Sequence, residues 1–271
     1  MRRLKILFFW FFSAKNNVSV FELISFLVKP TITVTAKKHL ISINDDDDDY
    51  KVIFKGLEHP LYWPKTFSLY RFYQIISETF DVNDWHYYQK EHTEIVQGEI
   101  LLDIGASEGL LPLAVAPICS HLYLVEPGMT FNKALQKTMA PYAAKTTIIN
   151  AAVGNEDGEI YFSEDSLEGK VSKNADADTY RININKIDTL IGNRKITYLK
   201  ADIEGFELEM LKGAAITIST NKPKIAITTY HEQNNPDEII ALIKSYVPQY
   251  NYYVKGIYEK TPKPVLIHFW I

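Results

Sequence analysis

Residues 100–111 read ILLDIGASEGLL, and this stretch decides the fold of the 271-residue chain. An apolar run leads through Asp103 into a turn with Gly105 and Gly109, and a second apolar run starts directly afterwards. The pattern predicts a buried strand, a tight turn and a helix, and such a turn lets backbone atoms approach a ligand closely. Turns that bind a dinucleotide pyrophosphate carry a third glycine, which is missing here, so a pyrophosphate is not indicated.

A second buried strand is predicted at residues 121–125, HLYLV, and Glu126 follows it directly. A carboxylate at the end of that strand can accept hydrogen bonds from both hydroxyls of a ribose. The turn and the acid together suit a nucleoside without phosphates, such as S-adenosylmethionine. NAD would normally require the extra glycine and a first turn without the acidic Glu108.

The composition is that of an ordinary globular protein, with 46% hydrophobic residues and enough length for one sizeable domain, with or without an accessory segment. A formal net charge of -4 argues against a general nucleic-acid-binding protein, which needs a clustered basic surface. The single cysteine, Cys119, excludes an internal disulfide framework and is compatible with the cytoplasm. We interpret it as a small buried apolar residue.

The first 84 residues carry no recognisable motif. Residues 2–5, RRLK, precede the apolar run Ile6–Phe12 and imitate the start of a signal peptide, but the run is too short to span a bilayer and no A-x-A site follows. We expect this basic, aromatic start to pack on the body of the protein or to make weak peripheral contact with a membrane. The predicted location is the cytoplasm, and membrane association is left open.

Alternating apolar and polar residues predict strands at Thr31–Thr35, Leu40–Ile43 and Tyr50–Phe54. The aspartates at 45–49 are expected to form a solvated turn without a function. Helical spacing of apolar residues predicts a helix over Phe67–Phe80.

After Glu126 the chain alternates between strand and helix patterns, which predicts an α/β fold with a mainly parallel sheet and helices on both faces. The last two strands are joined by a short connection and must pair antiparallel. The predicted elements are helices at Thr130–Met139, Phe206–Lys212 and Asp237–Tyr246, strands at Thr147–Ala152, Thr197–Ala201, Lys224–Thr228, Tyr250–Val254 and Val265–Trp270, and a hairpin-like pair at Gly158–Phe162 and Arg181–Ile184.

Four blocks in this order resemble the FkbM-type family of S-adenosylmethionine-dependent methyltransferases: LDIGASEG at 102–109, VEP at 125–127, NAAVG at 150–154 and LKADIEGFE at 199–207. The resemblance covers residues 85–271 and leaves residues 1–84 as an accessory segment. It implies a Rossmann-like class I methyltransferase fold with a C-terminal antiparallel hairpin. It also implies S-adenosyl-L-methionine as methyl donor and transfer to a hydroxyl oxygen of a sugar, a lipid-linked saccharide or a secondary metabolite.

The resemblance further implies which residues bind the cofactor. Asp103, Gly105 and Gly109 would border its methionine and ribose portions, and Glu126 would bind the ribose hydroxyls. The predicted cofactor residues, including the adenine end, are Asp103, Gly105, Ala106, Gly109, Glu126, Ala151, Ala152 and Asp202.

Three residues with catalytic chemistry follow strand ends at the ligand-binding edge of the predicted sheet: Asp202, Glu204 and His231. We predict His231 as the base that takes the acceptor's proton, with Asp202 or Glu204 orienting it or holding the acceptor. A Mg or Mn site at these three residues ranks second, and no metal is predicted.

Plainer interpretations remain open, because acids are favoured at a helix start and His231 suits a polar loop. An NAD-dependent oxidoreductase and a non-catalytic nucleoside-binding protein are the alternative functions. The expected partner is a small-molecule or glycan acceptor and not a nucleic acid, and the sequence does not determine the oligomeric state.

Overall fold

A computed structural model describes residues 2–164, 169–172, 174–175 and 177–271. The N-terminal part combines helices with a three-stranded antiparallel sheet of order β1-β2-β3. Its elements are α1 (Arg2–Phe12), α2 (Val20–Val28), α3 (Ile32–Lys37), β1 (Leu40–Asp46), β2 (Asp49–Phe54), β3 (Leu61–Pro64) and α4 (Leu69–Phe80).

The strand predicted at Thr31–Thr35 is wrong, because these residues begin helix α3. Thr31 follows Pro30 and takes the N-cap position of the helix, and the helix buries Ala36 completely. An alternating pattern of five residues carries only a weak strand preference, which packing overrides. The strands predicted at Leu40–Ile43 and Tyr50–Phe54 are confirmed as parts of β1 and β2.

The predicted aspartate turn is only partly correct. Residues 47 and 48 form the turn, while Asp45, Asp46 and Asp49 belong to the paired strands. Asp49 is buried, and its Oδ2 lies 2.5 Å from Nζ of Lys137. The pairing of β1 with β2 therefore continues almost to the tip of the acidic run.

The remaining elements follow in chain order. They are β4 (Ile100–Ile104), α5 (Leu110–Val115), β5 (His121–Val125), α6 (Met129–Met139), a 3₁₀ helix (Ala140–Lys145), β6 (Thr146–Ile149), β7 (Ala152–Val153), β8 (Gly158–Ser163), β9 (Lys170–Ser172), β10 (Tyr180–Asn185), α7 (Ile187–Ile191), β11 (Tyr198–Ala201), α8 (Glu207–Lys212), α9 (Ala215–Asn221), β12 (Lys224–Thr228), α10 (Pro236–Tyr246), β13 (Asn251–Lys255) and β14 (Leu266–Trp270).

A seven-stranded sheet of order β13-β14-β12-β11-β4-β5-β6 forms the centre of the molecule. Neighbouring strands from β12 to β6 pair parallel, whereas β14 pairs antiparallel with both β12 and β13. The predicted α/β sheet with its C-terminal antiparallel hairpin is thus confirmed. Strands β4 and β11 lie side by side, so the loops that follow Ile104 and Ala201 meet at one edge.

The strand predicted at Thr147–Ala152 is divided in two. Strand β6 ends at Ile149, and β7 leaves the central sheet to pair with β10 in a second sheet of order β7-β10-β8-β9. Between them, Nδ2 of Asn150 donates to the backbone carbonyls of Glu126 and Pro127, which fixes a bend in the chain. The predicted pairing of β8 with β10 is confirmed.

Apolar side chains cover both faces of the central sheet. Leu101 belongs to a core that includes the N-terminal helices, and Leu102 belongs to the core on the opposite face. Phe26 of α2 stacks on Trp85, with ring centroids 4.6 Å apart. The N-terminal part therefore shares a core with the central sheet, while a domain boundary near residue 84 stays a prediction.

Candidate functional site

A cavity of 1140 Å³ lies at the carboxyl ends of the central strands, where the sequence placed the site. Most of the predicted site residues line it: Asp103, Gly105, Ala106, Glu126, Ala151, Ala152, Asp202, Glu204 and His231. Gly109 is not among the lining residues. It has φ +87 at the start of α5, and a Cβ there would lie 2.5 Å from Cδ1 of Leu135, so it serves close packing between helices.

The turn after β4 brings two strand ends together. Gly105 has φ +76, and a Cβ on it would lie 2.0 Å from the carbonyl oxygen of Asp202. The backbone N–H groups of Gly105 and Ala106 donate to the carbonyl of Val125 at 2.9 and 3.1 Å. Only glycine fits at position 105, because any side chain would collide with the carbonyl oxygen of Asp202. The close contact and the two hydrogen bonds hold the ends of β4, β5 and β11 together.

Glu126 is fixed by backbone donors. Its Oε2 accepts from the N–H of Ser107 at 2.9 Å, and its Oε1 accepts from the N–H of Gly128 at 2.8 Å. Burial raises the pKa of Glu126 to about 7. Each carboxylate oxygen has capacity for a further hydrogen bond, so the predicted contact with ribose hydroxyls is compatible with this geometry.

A buried ion pair lies below the glycine turn. Nζ of Lys200 is 2.9 Å from Oδ1 of Asp103 and donates to the carbonyl of Gly105 at 2.7 Å. Burial raises the pKa of Asp103, and the nearby lysine offsets only part of this rise. Burial would lower the pKa of Lys200, but the carboxylates of Asp103 and Asp202 keep it above its ordinary value. Lys200 was given no role in the sequence analysis. A lysine inside a strand that is predicted to be buried indicates a buried acidic partner, and this signal could have identified the pair.

A second acid of the turn, Glu108, is also buried. Its Oε1 accepts from the N–H of Leu110 at 3.3 Å, and its Oε2 has no hydrogen-bond partner among the described residues. Burial raises the pKa of Glu108 to about 7. Because Glu108 lines the cavity, a carboxyl group with free acceptor capacity faces the space where a ligand would bind.

The far end of the cavity is apolar. Ala151 and Ala152 are buried there, Phe162 of β8 packs in one cluster with Ala152, and Phe131 of α6 also lines the cavity. The structure adds the two phenylalanines to the predicted alanines. They come from elements on either side of the alanines in the chain, so no local motif links them.

Asp202 is the centre of a network at the other end. Its Oδ2 accepts from the hydroxyl of Tyr88 at 2.8 Å and lies 3.3 Å from Nε2 of His86. Its Oδ1 lies 3.1 Å from Oγ1 of Thr228 and 3.9 Å from Nε2 of His231. Burial would raise the pKa of Asp202, but the two imidazoles hold it well below its usual range.

His86 is a site residue that sequence reasoning missed. Its Nδ1 lies 3.1 Å from Oε1 of Glu78 on α4. Burial opposes protonation, but Glu78 and Asp202 raise the pKa of His86 well above its ordinary value. The aromatic run at residues 85–89 indicated a cleft wall, but nothing in it pointed to contacts with Glu78 and Asp202.

His231 lies among three acids. Its Nδ1 is 2.9 Å from Oε1 of Glu207, and its Nε2 is 3.1 Å from Oε2 of Glu204. Burial lowers the pKa of this imidazole, but hydrogen bonds to Glu204 and Glu207 outweigh burial and raise it to about 10. In this arrangement His231 carries a proton at neutral pH.

The acid at Nδ1 of His231 is Glu207, which the sequence analysis did not name beside Asp202 and Glu204. Glu207 is fully buried, and besides His231 it accepts hydrogen bonds from four donors: the N–H groups of Ile203 and Gly205, Oγ1 of Thr228 and Nδ2 of Asn234. Positive φ values at Glu204 and Gly205 fold the loop back so that α8 starts with its first acid under the imidazole. The sequence suggested only a favourable charge at the helix start.

A metal at this point has little support from the donor set. One ligand atom from each of Asp202, Glu207 and His231 lies within 4.8 Å of the others. However, both oxygens of Glu207 already accept hydrogen bonds from protein donors, and Nδ1 of His231 contacts one of them. Ligation would break these contacts, so a metal site stays the second interpretation.

Comparisons with known proteins identify the family of the chain. The family model of the methyltransferase FkbM domain matches residues 103–252, more than half of the chain. No curated protein sequence matches the chain.

Solved structures resemble the fold. A methyltransferase FkbM from Methylobacillus flagellatus KT shares 22% identity at a TM-score of 0.53, over 73% of this chain and 54% of that one. The chain thus spans about half the length of that protein. A precorrin-6y C5,15-methyltransferase from Geobacter metallireducens GS-15 shares 9% identity at a TM-score of 0.41, over 67% of this chain and 85% of that one.

Proposed function

The chain belongs to the FkbM family of methyltransferases, and from this premise we propose that it transfers the methyl group of S-adenosylmethionine to a hydroxyl oxygen of a sugar, a lipid-linked saccharide or a secondary metabolite. S-Adenosylmethionine supplies a methyl group bound to a positively charged sulfur. The protein has to hold the acceptor oxygen in line with that methyl group and to remove the hydroxyl proton.

The residues of the cavity fit the parts of this cofactor. The carboxylate of Glu126 suits ribose hydroxyls, and the apolar wall of Ala151, Ala152 and Phe162 suits an adenine ring. Near Asp202 the carboxyl groups outnumber the two imidazoles, since Glu78, Glu204 and Glu207 join it there. An excess of acids favours a positively charged sulfur over a phosphate chain.

We assign the role of base to Nε2 of His231. Glu207 fixes the ring through Nδ1, while the side chain of Glu204 at Nε2 is one-third exposed, at 34%. An acceptor hydroxyl that replaced Glu204 at Nε2 would remove one of the two acids that keep the imidazole protonated. The lower pKa that follows would let His231 accept the hydroxyl proton.

The polar residues beyond Asp202 support a polyhydroxylated acceptor. Gln74, Ser77 and Glu78 of α4 line the same cavity as His231. Together the amide, the hydroxyl and the carboxylate offer both donors and acceptors, which suits sugar hydroxyls.

One observation carries the proposal: His231, which contacts the buried Glu207 through Nδ1, lines the same cavity as the Gly105 turn and Glu126. Isothermal titration with S-adenosylhomocysteine tests the cofactor, and Glu126→Ala should weaken binding by more than about 1 kcal/mol, the scale of a charged hydrogen bond. The matched control is Glu159→Ala, an exposed acid on β8. A folded protein that bound NAD in place of S-adenosylhomocysteine would contradict the proposal.

Methyl transfer is tested with a labelled donor against glycans and lipids extracted from cells, with mass analysis of the product. His231→Ala should abolish transfer while S-adenosylhomocysteine still binds. Cofactor binding without transfer to any extract, unchanged in His231→Ala, would instead indicate a non-catalytic nucleoside-binding protein.

A further inference from the structure

Helices α1 and α2 each have a buried and an exposed apolar side. Ile6 and Trp10 of α1 and Leu23 and Phe26 of α2 are buried in the core. On the opposite side of each helix, apolar residues recur at helical spacing and face solvent. We call these eight exposed residues the N-terminal apolar face: Leu4, Phe8, Phe11, Phe12, Val20, Phe21, Ile24 and Val28.

The exposure of this face is large for a folded protein. Phe12 is 75% exposed, Phe21 is 84% exposed and Val28 is 74% exposed. Single exposed apolar residues are common, but eight of them on two consecutive helices are more than a solvent-facing surface normally carries, and such exposure is typical of a binding surface.

Specific contacts hold both helices in place. Nε1 of Trp10 donates to the carbonyl of Val18 at 2.7 Å, and Ser19 and Glu22 form a capping box at the start of α2. Arg3 donates to the carbonyl of Leu27 at 2.6 Å. The apolar face is therefore one side of anchored helices, and its position does not depend on a ligand.

The segment that carries the face is positively charged, although Arg2 pairs with Glu259 and Lys29 pairs with Asp84. Residues 2–39 contain seven Lys or Arg and a single acid, Glu22, whereas the whole chain has a formal net charge of -4. Glu22 forms an ion pair with Nζ of Lys255, which neutralises the negative charge of Glu22. Lys5 and Lys15 are exposed beside the aromatic residues of α1. Exposed aromatic residues flanked by lysines on a helix are the composition of segments that lie in the interface of an anionic membrane.

We propose that the N-terminal apolar face binds the surface of an anionic lipid bilayer, with α1 and α2 lying in the interface. No described helix has the length and apolar character needed to cross a membrane. A second copy of the chain fits less well, because two such faces would bring like charges together. Most protein partners also fit less well, since protein interfaces are depleted of lysine.

The position of the face relates it to the cavity. Arg2, Arg3 and Phe26 of the same helices line the cavity wall. A bilayer bound to the apolar face would lie on the other side of these two helices from the cavity. The inference itself stands apart from the proposed function, because lipid binding is measured without methyl transfer.

Sedimentation with vesicles of phosphatidylcholine alone, or mixed with phosphatidylserine, tests the inference on the full chain. We expect binding to the mixed vesicles, weaker binding at high salt, and little binding to phosphatidylcholine alone. Phe21→Ser combined with Phe12→Ser should lower the partition coefficient about tenfold or more. Both residues are exposed, so the fold should persist, which circular dichroism checks.

The matched control is Ile216→Ser, which removes an exposed apolar side chain (67% exposed) from α9. Helix α9 packs in the core on the other face of the central sheet, away from α1 and α2, so this variant should bind vesicles like the wild type. Wild-type protein that stays in the supernatant with the mixed vesicles would overturn the inference. So would equal binding by the double variant, or a dimer that dissociates in the double variant while vesicles do not bind.

Discussion

Oε1 of Glu207 lies 2.9 Å from Nδ1 of His231, and further hydrogen bonds fix the orientation of the Glu207 carboxylate. Four other donors hold Glu207, two of them backbone N–H groups of the loop before α8. A fixed acid on Nδ1 sets the ring orientation and leaves Nε2 as the nitrogen that exchanges protons with the cavity. Lys263 supports the loop that carries His231, because its Nζ donates to the carbonyls of His231 and Asn234 at 2.9 and 2.6 Å.

The first prediction concerns the pH dependence of methyl transfer. The pKa of His231 is raised to about 10, so the neutral imidazole that can act as a base becomes more abundant as pH rises. We therefore expect the rate to increase with pH above neutrality. Glu204→Gln removes one acid that raises this pKa, so the rising limb of the profile should move to lower pH. Measurement of kcat/KM across about pH 6 to 10 checks this shift.

The control for this experiment is Glu232→Gln, because Glu232 is exposed, lines the same cavity and makes no contact with the His231 ring. Its profile should coincide with that of the wild type. If Glu204→Gln left the profile in place, or moved it to higher pH, His231 would not be the group that limits transfer.

The second prediction concerns the close approach at Gly105. Gly105→Ala should destabilise the protein by more than about 2 kcal/mol, because it adds a Cβ at positive φ where the carbonyl of Asp202 is 2.0 Å away. Gly98→Ala is the matched control, since Gly98 has φ +89 and no atom within 4 Å of the added Cβ. That variant should lose only about 1 kcal/mol. Urea unfolding of both variants separates crowding from backbone strain, and equal losses would refute the argument.

Particular residues show what the sequence could predict. The turn at Gly105 and the strand–helix alternation were predictable because spacing of apolar residues and glycines is a local signal. The contacts of Asp202 were not, since Tyr88 lies 114 positions away, His86 is in none of the four blocks, and its partner Glu78 belongs to the segment without a motif. Side chains that meet only through tertiary packing leave no spacing in the chain, so the network around Asp202 appears only in the fold.

The third prediction concerns the buried pair of Asp103 and Lys200. Lys200→Met leaves the carboxyl of Asp103 buried without its cation, which should cost about 3–5 kcal/mol at pH 8. The loss should be smaller at pH 5, because Asp103 can take up a proton there. Addition of Asp103→Asn should restore much of the stability. Chemical unfolding of the single and double variants checks the coupling.

An exposed ion pair serves as the comparison for this cycle. Nη1 of Arg181 lies 3.0 Å from Oε2 of Glu159, and the two side chains are 65% and 61% exposed. Arg181→Met should cost much less stability than Lys200→Met, because solvent screens the acid that remains. Equal losses in Lys200→Met and Arg181→Met would show that the pair below the glycine turn is not specially dependent on its cation.

The last prediction concerns the stability cost of Glu108. Its pKa is raised from an ordinary 4.5 to about 7 by burial, so the folded state prefers the protonated acid. A raised pKa contributes stability below the unfolded value, and this contribution is lost as pH rises from about 4.5 to 7. Glu108→Gln should therefore stabilise the protein at pH 8 by on the order of 1–3 kcal/mol relative to its effect at pH 4.5.

Unfolding free energies of Glu108→Gln and wild type between about pH 4 and 8 test this sign. The matched control is Glu156→Gln, since Glu156 is exposed and its removal should not alter the slope. A wild-type curve that rises with respect to the variant over this range would mean that Glu108 is stabilised as a carboxylate. In that case a partner must bind its Oε2 in the folded protein. If the predicted sign holds, the unpaired oxygen is kept at a cost to stability, which is expected of an acid that serves a ligand in the cavity rather than the fold.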